Sequence, residues 1–225
     1  HGHGTGDLLD ACLQYFPPED DEEEDEDVIK VAIIGKPNVG KSSLTNRILG
    51  TERMIVSNVA GTTRDAIDSY FENEQGKYVF IDTAGMRKKS KVDDVIERYS
   101  VLRATMAIDR ADVCLIMIDA QEGVTEQDTK VAGLAHEAGK ACIIVVNKWD
   151  AVEGKETNTM ELQRRGYAEC FSFMGYAPII FISAQTGYNV NKLMQLIRDV
   201  DSQNGARVPT GVLLSLIHIS EPTRH

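Results

Sequence analysis

The sequence predicts an α/β domain with a mostly parallel six-stranded sheet and helices on both faces. Short β-branched runs alternate with amphipathic helical stretches between residues 28 and 201, which is typical of parallel α/β folds. Several runs are apolar almost throughout, as strands covered on both faces must be. Polar motifs directly follow the strands, and in open α/β sheets ligands bind at the carboxyl ends of strands.

The predicted elements follow one another along the whole domain. Strands are predicted at residues 29–34, 66–72, 78–81, 113–118, 141–146 and 179–182. Helices are predicted near residues 42–49, 95–107, 125–138, 158–173 and 190–201. Residues 28–203 therefore form the predicted domain, and the 42% hydrophobic content of the 225 residues is sufficient for its core.

The net charge of −11 comes mainly from one segment, because residues 19–27 are nine consecutive acids. Removing these nine from the 35 acids leaves 26 against 24 Lys and Arg. Such a run repels itself and cannot be buried. Residues 17–27 are therefore predicted to be a solvated acidic linker, and a specific basic partner is the alternative.

Apolar runs and cysteines favour a cytoplasmic protein without a membrane span. No stretch approaches the roughly 20 apolar residues that a span needs, and no charged start precedes an apolar run as in a secretory signal. Four cysteines stand far apart without a Cys-x-x-Cys pair, which favours free thiols over disulfides or a zinc site: Cys12, Cys114, Cys142 and Cys170.

Residues 35–42 read Gly-Lys-Pro-Asn-Val-Gly-Lys-Ser, directly after an apolar strand and at the start of a helix. This context predicts a phosphate loop, since glycines let backbone N–H groups face phosphate oxygens and the helix adds its positive end. Lys41 is predicted to reach the β- and γ-phosphates, and the Ser42 hydroxyl to bind Mg²⁺. The predicted binding residues are Asn38, Val39, Gly40, Lys41, Ser42 and Ser43.

A second motif, Asn147-Lys-Trp-Asp150, ends another apolar strand. The Asp150 carboxylate can accept from the two donors on the edge of guanine, and adenine offers neither donor, so this motif predicts guanine selectivity. Asn147 is expected to brace the loops, and the stem of Lys148 to lie along the base. Ser183-Ala184 ends the last strand, where the Ala184 N–H is predicted to donate to guanine O6.

Two loops are predicted to respond to the γ-phosphate. Asp82-Thr-Ala-Gly85 follows a strand, so Asp82 is expected to hold Mg²⁺ through water and the Gly85 N–H to sense the phosphate. Thr63, with Thr62 as the less favoured choice, is the predicted second hydroxyl ligand of Mg²⁺. Loops of this kind order around GTP and relax after its hydrolysis.

These motifs resemble those of translation-factor-related GTPases of the Era and Der (EngA) type, across about residues 28–203. Residues 82–91, Asp-Thr-Ala-Gly-Met-Arg-Lys-Lys-Ser-Lys, and the Asn-Lys-Trp-Asp motif are most similar to the second GTPase domain of the Der family. The resemblance implies a P-loop GTPase (G domain) that hydrolyses GTP to GDP and phosphate. It also implies a role in assembling the large ribosomal subunit, with ribosomal RNA as a partner.

The flanking segments are interpreted in the same light, since Der proteins have two tandem GTPase domains and a KH-like domain. Residues 1–16 resemble residues 185–197 in pattern and are expected to be the last helix of a preceding GTPase domain, with a chance helix as the alternative. Residues 204–213 are similar to the start of the KH-like domain. Residues 214–225 resemble a translated sequencing adaptor and are expected to be non-native.

Catalysis is expected to differ from that of Ras-like enzymes, because Met86 stands where those enzymes place a water-orienting glutamine. In relatives with a hydrophobic residue there, an asparagine matching Asn38 helps to bind K⁺ beside the phosphates. The resemblance therefore implies K⁺ as a second cofactor, and a purely structural Asn38 is the alternative. The predicted catalytic residues are Lys41, Thr63, Gly85 and Asn38.

A dense basic cluster, residues 87–91, lies beside the second of these loops and is a candidate contact for ribosomal RNA phosphates. A solvated charged face is the alternative. Two other functions remain open: a module that binds guanine nucleotide without hydrolysing it, and a P-loop ATPase or kinase, which Asp150 disfavours.

Overall fold

A computed structural model describes residues 28–51, 68–74, 76–81 and 96–205. The predicted N-terminal helix and acidic linker fall outside these ranges, as do nearly all of the predicted KH-like start and the whole C-terminal tail. Their assignments stay predictions.

The described chain contains six strands and five α-helices, close to the predicted positions. The strands are β1 (Val28–Ile34), β2 (Ser69–Asn73), β3 (Gly76–Ile81), β4 (Val113–Asp119), β5 (Ala141–Asn147) and β6 (Ile179–Phe181). The helices are α1 (Lys41–Thr51), α2 (Ile96–Arg110), α3 (Glu126–Glu137), α4 (Thr159–Cys170) and α5 (Val190–Asn204).

The strands form one sheet in the order β2-β3-β1-β4-β5-β6. Only the β2–β3 pair is antiparallel among the described pairs, and the other neighbours are parallel. In the centre, Val31 pairs with Phe80 on one side and with Val113 on the other. The predicted mostly parallel sheet of six strands is therefore confirmed, and β2 joins it as an antiparallel edge.

Helices cover both faces of the sheet, as predicted. Every residue of β4 and β5 is buried, so their side chains alternate between two separate cores. In one core, Ile116 packs with residues of α2, α3 and α4, and in the other, Leu115 packs with residues of α1 and α5. This double cover explains why both strands are apolar throughout.

The structure differs from the sequence prediction mainly at element ends. The helix predicted at residues 158–173 stops at Cys170, and a separate 3₁₀ turn follows at Ser172–Met174. Phe171 leaves the helical conformation between them and is 1% exposed, so burial of its ring overrides continuation of the helix. α5 continues to Asn204, and Gly205 follows as its C-cap residue.

The described ranges contain no helix that is both long enough and apolar enough to cross a bilayer. Cys114, Cys142 and Cys170 are free, in agreement with the prediction, while Cys12 lies outside the described residues. Burial raises the pKa of the Cys114 thiol to about 12 and that of Cys142 to about 11. Both thiols therefore stay protonated near neutral pH and act as small core side chains.

Candidate nucleotide-binding site

The loop after β1 has a backbone that only glycine permits at two positions. Gly35 has φ +144° and Gly40 has φ +100°, both in the region that L side chains avoid. A Cβ on Gly35 would lie 2.5 Å from the carbonyl oxygen of Met117, and a Cβ on Gly40 would overlap the Asn147 side chain. The loop that leads into α1 therefore requires glycine at both positions.

Lys41 is the first residue of α1, and the loop surrounds its ammonium group. Its Nζ donates to the carbonyl oxygens of Gly35 and Lys36, at 2.6 Å each. Burial lowers the pKa of Lys41 to about 8, although the charge of Asp128 acts in the opposite direction. The site thus holds a cation that has lost part of its hydration and gains from an added anion.

The other predicted phosphate-loop residues differ in exposure. Val39 is fully buried, whereas Asn38 is exposed and has φ +64°. Ser42 is half-buried in the first turn of α1, and Ser43 is exposed. Because the first N–H groups of a helix have no partner within the helix, this turn presents donors together with the Ser42 hydroxyl.

The side chain of Asn147 connects two loops that are far apart in sequence. Its Nδ2 donates to the carbonyl oxygen of Val39 at 2.8 Å, and its Oδ1 accepts from the N–H of Ala184 at 2.9 Å. Asn147 is 2% exposed, so both bonds are shielded from water. The Ala184 N–H, expected at guanine O6, thus donates to a protein acceptor in this structure.

Lys148 follows with φ +61°, and its ammonium group forms an ion pair with Asp119 at 2.5 Å. Burial by itself raises the pKa of Asp119, but hydrogen bonds from Lys148 and the Gln121 N–H outweigh it, so the pKa lies below its usual value. Asp119 was not among the site residues predicted from the sequence. The available signal was an acid that ends the apolar strand β4, in register with Asn147.

Asp150 lies in the 3₁₀ turn Trp149–Ala151 with its side chain exposed. The turn itself is well fixed, because Trp149 packs against the Phe181 ring with centroids 4.9 Å apart. The Trp149 N–H also donates to the carbonyl oxygen of Ile182 at 3.1 Å. A rigid support therefore presents the Asp150 carboxylate to solvent, where a ligand can reach it.

Ser183 is fully buried after β6 and begins a tight turn that ends at Gly187. The Ser183 carbonyl oxygen accepts from the Gly187 N–H at 2.8 Å, and its Oγ accepts from the Thr186 N–H at 3.0 Å. Ser183 thus shapes the base loop, which we define as residues 183–187. In this structure its hydroxyl oxygen accepts a hydrogen bond from within the turn.

A second cluster that sequence reasoning missed lies beside the phosphate loop. Lys36 is 9% exposed and pairs with Glu122 at 2.5 Å and with Asp128 at 3.7 Å. Burial lowers the pKa of Lys36, but these carboxylates raise it by more than burial lowers it, so the pKa lies above its usual value. Asp128 also caps α3 in a capping box with Thr125. The Thr-x-x-Asp spacing was the signal for this cap.

Several predicted residues lie outside the described ranges: Thr62, Thr63, Asp82, Gly85, Met86, Arg87, Lys88, Lys89 and Lys91. Among the described residues, the phosphate loop, the Asn-Lys-x-Asp motif and the base loop lie together at the carboxyl ends of the strands. In that part, no group of three or more His, Cys, Asp and Glu side chains could hold a metal ion.

The glycine loop with the half-buried Lys41 and the Asn-Lys-x-Asp turn define a P-loop fold of the guanine-nucleotide-binding class. The family model described as "50S ribosome-binding GTPase" matches residues 30–148, just over half of the chain. The chain belongs to this family.

Two relatives named "GTPase Der" agree with this assignment and confirm the predicted resemblance to Der. The chain is 63% identical over 218 residues to that of Acetivibrio thermocellus and 58% identical over 217 residues to that of Ruminiclostridium cellulolyticum. These alignments cover 97% and 96% of the chain but 49% of each relative. The chain thus spans about half the length of the curated relatives it matches.

A solved structure supports the fold as well. Era in complex with MgGDPNP and nucleotides 1506–1542 of 16S ribosomal RNA superposes with a TM-score of 0.57 and 36% sequence identity. The match covers 76% of this chain and 56% of that chain.

Replacing Asn147 with Ala tests the connection between the phosphate and base loops. The change leaves the Val39 carbonyl and the Ala184 N–H buried without partners, and each such group costs about 1–3 kcal/mol. We expect the free energy of unfolding, measured by urea titration without nucleotide, to fall by about 2–4 kcal/mol. Asn46→Ala, an exposed change on α1, is the control and should alter it by less than about 0.5 kcal/mol. Equal effects of the two changes would contradict the bridging role.

Proposed function

We propose that this chain is a GTPase domain that binds GTP with Mg²⁺, hydrolyses it to GDP and phosphate, and acts as a nucleotide switch. One observation carries the proposal: the Asn147 side chain bonds to both the phosphate loop and the base loop. A phosphate-binding loop and a base-binding loop held at a fixed separation are what recognition of a whole nucleotide requires.

On the phosphate side, Lys41 supplies the charge that a di- or triphosphate needs. In the described part of the chain its ammonium group donates to two backbone carbonyls, with which phosphate oxygens can compete. The backbone of residues 38–43 adds N–H donors at the N-terminus of α1. Gly35 and Gly40 let this backbone pack against Met117 and Asn147 without a side chain between them.

The residues present fit Mg²⁺, which prefers a few hard oxygen ligands together with substrate phosphates. The half-buried Ser42 hydroxyl lies in the first turn after the glycine loop, where such a ligand is needed. We propose Thr63 and Asp82 as its further partners. When bound, Mg²⁺ supplies charge neutralisation between the β- and γ-phosphates.

For the reaction itself, Lys41 holds the γ-phosphate in line and stabilises the charge that develops on the leaving oxygen. We propose that the Gly85 N–H contacts the γ-phosphate and that Thr63 closes over it. Met86 has no polar atom with which to orient water, so the chain needs another source of positive charge.

On the base side, the exposed carboxylate of Asp150 accepts from N1–H and the 2-amino group of guanine. The stem of Lys148 is proposed to lie along the base, with its ammonium group held by Asp119. The Ala184 N–H donates to Asn147 in this structure. It would donate to guanine O6 either in a hydrogen bond shared with Asn147 or after a small shift of the base loop.

Asp150→Asn tests both the nucleotide and its orientation. The amide cannot accept from both donors of guanine but can donate to the 2-oxo group of xanthine. We expect GTP affinity to fall about tenfold to a hundredfold, and the preference to shift toward xanthosine triphosphate.

Competition against a fluorescent guanine nucleotide measures this change in preference. Glu153→Gln, which removes an exposed neighbouring carboxylate, serves as the control. A variant that kept the wild-type preference would show that the base is placed wrongly. Single-turnover hydrolysis by the wild-type chain distinguishes a GTPase from a module that only binds nucleotide.

The pKa of about 8 for Lys41 gives nucleotide binding a pH dependence. Bound phosphates raise this pKa, so the complex holds a proton that the free protein loses as the pH rises through 8. The part of GDP affinity that depends on Lys41 is therefore expected to be nearly constant well below pH 8 and to fall as the pH rises through 8, by up to about tenfold per pH unit above it.

Calorimetry at pH 8.5 in buffers of different ionisation enthalpy measures the proton that is taken up on binding. Lys41→Ala should bind GDP weakly and lose this uptake, while its far-UV circular dichroism stays that of the wild type. Equal proton uptake by the variant would assign the titration to another group.

We propose K⁺ as the added positive charge, held beside the phosphates by Asn38. The exposed position of Asn38 on the phosphate loop supports this role, since its amide oxygen can reach a ligand. A positive charge at this place is worth about 10³ to 10⁵ in rate when an arginine supplies it.

Turnover is expected to be faster in KCl than in NaCl at equal ionic strength, because a site sized for K⁺ holds the smaller Na⁺ less well. Asn38→Ala should lower this stimulation and leave GDP binding largely intact. Rates that are identical in the two salts would remove K⁺ from the mechanism.

We also propose that the longer protein acts in assembly of the large ribosomal subunit and contacts ribosomal RNA. Support for the assembly role comes from the description of the family and from the relatives named "GTPase Der". Support for RNA contact comes from the Era structure, which was solved with a segment of 16S ribosomal RNA. The basic residues 87–91 are the proposed RNA contact in this chain. A cytoplasmic location accords with this role and stays a prediction.

A further inference from the structure

We propose that Arg47 is a positioning residue for guanine recognition, acting by holding the base loop (residues 183–187) against α1. The inference rests on the proposed binding of guanine nucleotides. Neither the phosphate-loop motif nor the Asn-Lys-x-Asp motif contains Arg47, which lies farther along α1.

The guanidinium of Arg47 bonds to two consecutive carbonyls of the base loop. Its Nε donates to the Ala184 carbonyl oxygen at 3.0 Å, and its Nη2 donates to that of Gln185. The two residues are 137 and 138 positions away in sequence. A planar fork of donors can hold two neighbouring carbonyls at once, which the single ammonium group of a lysine does less well.

The remaining peptides of the base loop are fixed by other groups. The Ser183–Ala184 peptide bonds to the Gly187 N–H through its oxygen and to Asn147 through its N–H. The Thr186 N–H bonds to the Ser183 hydroxyl. Arg47 therefore supplies the side-chain bonds to the carbonyls of the two peptides that follow Ala184.

Gly187 places the backbone of the base loop close to the guanidinium of Arg47. It has φ +86°, and a Cβ added there would lie 3.9 Å from three atoms of the Arg47 guanidinium. The chain thus turns back over the charged group, and Arg47 is half-buried as a result. Bonds to an ionised group in partial shelter from water are stronger than neutral ones.

This contact matters for guanine because a peptide plane is rigid. In a trans peptide the carbonyl and the following N–H point in opposite directions, so fixing the carbonyls of Ala184 and Gln185 fixes the two peptide planes that follow the Ala184 N–H proposed for guanine O6. The loop that is proposed to read guanine O6 is then ordered before the base arrives, which lowers the entropic cost of binding.

Arg47 also connects this order to the phosphate loop. It lies six residues after Lys41 in the same helix, so the helix holds the two residues at a set distance from each other. Asn147 makes the second connection, between Val39 and Ala184. With both in place, the base loop keeps a set distance from the bound phosphates.

The test compares Arg47→Met, Arg47→Lys and the wild-type chain by titration with GDP and with 2,6-diaminopurine riboside diphosphate. The latter keeps the 2-amino group but has an amine in place of O6 and no proton on N1. Because Asp150, and not the base loop, is proposed to read N1–H, the change in the ratio of the two affinities between variant and wild type reports recognition of O6. We expect Arg47→Met to weaken GDP about tenfold, mainly through faster dissociation, and to lower the ratio by a similar factor. Arg47→Lys should restore part of both.

Lys192→Met, an exposed change on α5, is the control for the loss of one positive charge and should alter neither value. A loss of affinity for both ligands in equal measure, or no loss, would overturn the proposal and leave Arg47 a structural residue. If Arg47→Met fails to fold, Arg47→Lys decides by the same ratio. No binding of GDP by the wild-type chain would refute the proposed function itself, which is a distinct result.

Discussion

The arrangement of the site depends on one buried side chain, that of Asn147. It lies at the end of a fully buried strand, and each end of its amide bonds to a different loop. Because an amide has one acceptor and one donor group on a planar frame, it can satisfy an N–H and a carbonyl at once. Val39 and Ala184 also bury their side chains in the same core. The nucleotide-binding edge is thus held together by polar bonds that the sheet shields from water.

The charges of the site follow the same logic. Lys41 and Lys36 lose part of their hydration in the folded protein, and Asp119 is buried beside Lys148. Burial by itself shifts the pKa of each group toward its neutral form, and the three groups differ in what opposes this shift. Lys36 and Asp119 have charged partners within the fold, which favour their ionised forms. In the described part of the chain the ammonium group of Lys41 bonds to carbonyl oxygens, so its charge is left for an incoming anion.

The fold was largely predictable because the periodicity of apolar residues is a local property. β4 and β5 are buried on both faces and read as unbroken apolar runs, while each helix buries one face and reads with a helical period. Element ends were less predictable. The helix stop at Cys170 depends on the burial of Phe171, which no local pattern shows.

The sequence by itself determined which residues make up the phosphate loop and the guanine motif, because backbone conformation and ligand chemistry restrict those positions to a few residue types at fixed spacing. Tertiary structure decided which residues meet. Asp119 beside Lys148, Lys36 beside Asp128, and Arg47 against the base loop each join segments separated by 29 to 138 residues. Such pairs leave no periodic trace in one sequence, since only the crossing of parallel strands and their helices brings them within bonding distance.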